Sequence, residues 1–100
     1  MKVKDKISGQ VFNVYGIYWH DNKTYFYAFP KNSGGISSFG EEEVEIVERA
    51  IDDDFEFVRT DEKISGFFHR YLLVEGLMDG LLEHDPSAYK KFVSLIGKVP

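Results

Sequence analysis

The sequence predicts an α+β protein: a small antiparallel sheet or SH3-like barrel of four to five strands, followed by two or three helices packed on it. Three observations predict it. Residues 11–60 fall into short β-rich runs separated by turn residues, and beyond Thr60 the apolar residues change to a helical period. The chain has 100 residues, 43% of them apolar, with no stretch long enough to act as a linker. That combination gives one domain over residues 1–100, with a β-rich part (1–60) and a helical part (61–100).

The first strand runs from Val11 to Trp19, with Val11, Tyr15, Ile17 and Trp19 on one side and Phe12, Val14 and Tyr18 on the other. Gly16 within it marks a bulge or sharp bend, as a small barrel needs in order to close. His20-Asp21-Asn22-Lys23 is a turn, and Thr24–Phe29 returns as the second strand of a hairpin. Pro30 ends that strand, because proline cannot donate to a ladder. Ile36–Phe39, Val44–Glu48 and Phe55–Arg59 supply three more short strands, the last two separated by the turn Asp52-Asp53-Asp54. Phe67, Tyr71, Val74, Met78 and Leu81 then recur at spacings of 4, 3, 4 and 3, which predicts a helix, with a break near Gly76. The last helix carries its own boundaries: Asp85 as N-cap, Pro86 at the first helical position and Gly97 just past the end.

Composition removes several classes of function. There is no cysteine, hence no disulfide framework, thiolate metal site or cysteine nucleophile. No uninterrupted apolar run approaches the roughly 20 residues of a spanning helix, so no membrane association is expected. Ile7-Ser8-Gly9-Gln10 stands where a signal peptide needs its apolar region, so a cytoplasmic protein is expected. The net charge of −5 is unevenly spread. Residues 41–62 hold 11 acidic against 2 basic side chains, or −9, while the rest holds 10 basic against 6 acidic, or +4. Val44, Ile46, Val47, Ile51, Phe55, Phe57 and Val58 are interleaved with those acids, and their expected burial would pin the acids to the surface of folded elements. Such a run is either a solvated face or a recognition surface for a cationic partner.

Catalytic parts are missing, and no enzymatic role, cofactor or metal is expected. His20, His69 and His84 share no ligand spacing, and the acidic run lacks the alternating ligands and central glycine of a calcium loop. Ser33-Gly34-Gly35 is not followed by a helix, so it fails as a phosphate cradle. The aromatic hairpin is the other feature with functional potential. Tyr15, Tyr18, Trp19, Tyr25, Phe26, Tyr27 and Phe29 lie close together, with Lys4, Lys6, Lys23 and Lys31 nearby in sequence. Rings exposed beside lysines stack single-stranded nucleic acid, whereas buried ones fill the core.

In its layout the chain resembles the small, acidic, cysteine-free immunity proteins of bacterial toxin–immunity systems. The resemblance is carried by the hairpin Val11–Phe29, the strand Glu41-Glu42-Glu43-Val44-Glu45-Ile46-Val47 and the closing Leu81-Leu82-Glu83-His84-Asp85-Pro86-Ser87-Ala88-Tyr89-Lys90-Lys91-Phe92. It implies a non-enzymatic inhibitor of a cognate basic toxin domain. The acidic residues that could then meet such a partner are Glu41, Glu42, Glu43, Glu45, Asp52, Asp53 and Asp54, since acids over a cationic cleft mimic phosphates and speed association. The alternative is a barrel that reads single-stranded nucleic acid or a peptide through Tyr15, Tyr18, Trp19 and Tyr25. A homodimer joined by its apolar helix face is a third arrangement.

Overall fold

The computed structural model describes residues 1–59 and 65–100. Among the described residues seven antiparallel strands precede two helices: β1 Lys2–Asp5, β2 Val11–His20, β3 Lys23–Ala28, β4 Ser37–Gly40, β5 Val44–Glu48, β6 Phe55–Arg59, β7 Ser65–His69, α1 Leu77–Leu82 and α2 Pro86–Ile96. This is the α+β layout expected from the sequence. Five strands form the path β4-β3-β2-β1-β5. Its two outer strands are joined by a single 3-10 turn, Glu41–Glu43. Three residues reach only about 10 Å even when extended, so the path has to curl until its ends meet. That is the barrel-like half of the molecule. The β6–β7 pair then adds to β2, Phe68 standing opposite Gly16 and Phe67 opposite Ile17.

One bulge divides the interior in two. The β2–β3 register shifts between Val14 and Gly16. Val14 and Ile17 therefore face the same way despite their odd spacing, and Tyr15 is turned to the opposite side. Val14, Ile17, Val3, Phe12, Phe26, Ala28 and Val44 fill the curled sheet. Tyr15, Phe29, Ile36, Leu72, Leu77, Leu81 and Phe92 form a second core between sheet and helices. Gly16 is required there for a packing reason, since a Cβ on it would lie 2.9 Å from the Phe68 ring and 3.0 Å from Tyr27. The sequence grouping of Tyr15 with Ile17 and Trp19 fails at this bulge.

The predicted helix beginning at Phe67 is replaced by three shorter pieces. Ser65–His69 is β7, Arg70–Leu73 is a 3-10 turn, and α1 starts only after Gly76, whose φ is 76°. The ladder along β2 outweighs the helical spacing of Phe67 and Tyr71, and left-handed Gly76 stops a helix from running through. Gly80, instead of weakening α1, allows contact with α2: a Cβ there would sit 2.6 Å from the Cβ of Ala88. The boundaries of α2 are those read from the sequence. Asp85 accepts a bond from the Ser87 amide at 2.9 Å, Pro86 opens the helix, and Gly97 closes it with φ 76° and a bond to the Val93 carbonyl. Among the described residues no helix is long and apolar enough to cross a membrane.

Candidate functional site

The acidic residues fall into two groups. Glu41, Glu42 and Glu43 are all exposed on the 3-10 turn, and Glu45 is exposed on β5. Among the described residues none of these four makes an ion pair, whereas Glu48 at the other end of β5 lies 3.9 Å from Lys2. Asp52 and Asp53 are exposed in the β5–β6 connection, where an Asp52 carboxylate oxygen accepts the Asp54 amide at 2.9 Å. Asp54 is engaged within the fold. Its carboxylate lies 3.5 Å from Arg70 Nε and 3.9 Å from His69 Nε2, and its carbonyl accepts the Arg70 amide at 2.7 Å. Glu41 and Glu45 border one depression while Asp52 and Asp54 border another. Asp61 and Glu62 lie outside the described residues.

The apolar residues within the acidic segment differ from expectation. Val44 is buried, but Ile46 is 41% exposed, Val47 48%, Ile51 41% and Phe57 58%. The reason is topological. Among the described residues β5 pairs only with β1 and β6 only with β7, so each has one side without a ladder partner. Ile46, Val47, Ile51 and Phe57 are thus exposed apolar side chains within the same stretch of sequence as the carboxylates.

The four aromatic residues of the alternative reading occupy three places. Tyr15 is 6% exposed, packed edge-on to Phe29 and Phe92 at 5.3 and 5.4 Å, so it offers no face for stacking. Tyr18 stacks on Tyr25 at 5.0 Å, and its hydroxyl bonds to Ser38 Oγ at 2.7 Å. Trp19 follows Tyr18 and therefore projects from the other face of the strand; it meets Phe67 edge-on at 6.1 Å. Exposed Lys23 stands two positions before Tyr25 on β3. Tyr25 pairs with Gly40, the residue that leads into Glu41–Glu43.

A polar cleft of about 330 Å³ at the sheet–helix junction was not anticipated. His69, the only buried polar side chain in the described structure, is 8% exposed there. The rings of Tyr15, Phe55, Tyr71 and Phe92 surround it at 5.3–6.3 Å. Its Nδ1 accepts the Tyr71 amide at 3.3 Å, so the neutral ring carries its proton on Nε2, facing Asp54. Burial pulls its pKa below the ordinary histidine value. Asp54 and Asp52 oppose that shift, and Arg70 and Lys98 reinforce it. The Arg70 guanidinium lies over the Tyr71 ring at 4.8 Å. No signal local to His69 marks this role, which depends on β7 pairing with β2, far away in sequence. Among the described residues no group of three acidic or histidine side chains is placed to hold a metal ion. Compared with known proteins, the chain matches no family model, no curated protein and no solved structure.

Proposed function

We propose that this chain is a non-enzymatic binding module that covers a basic protein partner with the surface formed by Glu41, Glu42, Glu43 and Glu45, together with Asp52 and Asp53. The observation that carries the reading is the exposure of Ile46, Val47 and Ile51, which lie in sequence between those carboxylates. The acids steer a cationic surface into contact, and the apolar side chains lose water only once contact is made. Asp54 is left out of the binding set because Arg70 and His69 already engage it. The layout resemblance to immunity proteins supports a toxin-like basic domain as the partner, and the cysteine-free composition supports a cytoplasmic setting.

The reading is tested by capturing partners on the immobilised chain at low salt, then titrating the purified partner against wild type and the variant Glu41→Gln/Glu43→Gln/Glu45→Gln. A basic protein is expected, with a Kd that rises at least tenfold in the variant and increases with salt. A captured nucleic acid held through Tyr18 and Tyr25, or a protein that binds the neutralised variant as tightly, would sink the proposal.

A further inference from the structure

β5 is an edge strand with a groove beside it. Lys6 donates its amide to the Glu43 carbonyl at 3.1 Å, and β1 pairs Lys4 with Glu45, Asp5 with Val44 and Val3 with Ile46. In an antiparallel ladder, hydrogen-bonded and non-hydrogen-bonded pairs alternate. Glu43 and Glu45 therefore turn their backbone groups toward β1, and Val44 and Ile46 turn theirs away from it. Among the described residues no strand pairs with β5 on that outer side. A depression of about 480 Å³ lies there, with Phe26, Val44 and Ile46 as its apolar lining and Glu41, Glu45 and Arg49 at its border.

We infer that β5 receives an extended segment of the partner as an added antiparallel strand, one in which apolar residues alternate with lysine or arginine. Two features select this occupant. The outward backbone groups of Val44 and Ile46 offer a strand ladder, which needs a chain in extended conformation. The side chains of Val44 and Ile46 face the same side as Val3, which is fully buried, so the partner residues opposite them have to be apolar. The intervening partner residues point the other way, beside exposed Glu45, where a cationic side chain finds its counter-charge. This inference rests on the basic-partner reading and adds to it a backbone-mediated mode of binding.

The test uses the whole chain, isotopically labelled, with two synthetic peptides. One is the acetylated and amidated heptapeptide Lys-Val-Lys-Val-Lys-Val-Lys. The other has the same sequence with every valine amide N-methylated, which preserves charge but removes the donors that face β5. Strand addition predicts that the first peptide slows hydrogen exchange at the Val44 and Ile46 amides at least tenfold, and that the methylated peptide binds at least tenfold more weakly. Equal binding of the two peptides, or no slowing at Val44 and Ile46, overturns strand addition. If that equal binding is also lost in Glu41→Gln/Glu43→Gln/Glu45→Gln, the acidic surface still stands as the binding site and only the backbone mode is wrong. If neither peptide shifts any resonance of residues 41–49 at low salt, both ideas fail.

Discussion

His69 makes the stability of this fold respond to acid in a way one substitution isolates. In the unfolded chain the imidazole titrates near 6.5, while burial holds the folded-state value below that. Between the two values the unfolded chain binds a proton that the native state does not, so stability falls as the pH is lowered. The loss begins as the pH drops through about 6.5, is complete below the folded-state pKa, and for one proton cannot exceed about 1.4 kcal/mol per pH unit. His69→Phe keeps an aromatic ring among Tyr15, Phe55, Tyr71 and Phe92 but removes both the titration and the acceptor for the Tyr71 amide. Leaving that N–H without a partner costs about 1–3 kcal/mol at neutral pH. The variant is therefore less stable than wild type at pH 7.5, and the gap closes as the pH falls toward 5. Urea unfolding of both proteins at half-unit pH steps measures this gap directly, because carboxylates common to both cancel in the difference. A gap that stays constant from pH 7.5 to 5 would refute the assignment of His69 as a buried, neutral histidine.

Two further outcomes follow from the cores. Phe92 is fully buried, stacked on Phe29 at 5.0 Å and edge-on to Tyr15 at 5.4 Å; Phe92→Ala should cost about 3–5 kcal/mol in chemical denaturation, and a loss under 1 kcal/mol would mean that α2 is not what closes this core. Burial, aided by Tyr18, pushes the Tyr27 hydroxyl up to about 12, and burial with Asp52 raises Tyr15 as well. Ultraviolet titration of the folded protein should therefore show these two rings ionising only above the ordinary tyrosine value, Tyr27 at about pH 12. The stability they contribute is intact below about pH 10 and lost as the pH rises through the folded-state values.

The β2–β3 hairpin and α2 were legible in the sequence because their signals are local. A four-residue polar turn between aromatic runs, and an Asp-Pro start with a glycine stop, act through neighbouring backbone groups. β1 was not legible, since Lys2-Val3-Lys4-Asp5 offers a single apolar residue, and its pairing with β2 and β5 is decided by the curl of the sheet. Across β7 the sequence alone reads as helix because Phe67 and Phe68 suit either period, and only the ladder to Gly16 and Ile17 chooses between them. Within the candidate surface the acids were placed on the outside as expected, yet the exposure of Ile46, Val47 and Phe57 was not foreseen. Periodicity identifies apolar residues, but whether a strand is an edge depends on the number and order of the others. Tyr15 was misplaced for a related reason: a bulge inverts which side of the strand every later residue occupies.

β2 has two different neighbours along one side: β1 meets it at Val11–Asn13, and β7 at Gly16–Trp19. The first belongs to the start of the chain and the second to its later half, so the two interiors share a single backbone rod. Loosening β2 would expose both at once, which favours all-or-none unfolding over piecewise melting. The same arrangement sets the pace of folding. Docking β7 on β2 closes a loop that contains β3, β4, β5 and β6, and such non-local closure slows a domain toward the millisecond-to-second range typical of β-rich topologies. A fragment ending at the close of β6 would lack the strand that covers this half of β2. It would present the row Gly16–Trp19 as an open edge, prone to pairing with other chains before the rest of the molecule arrives.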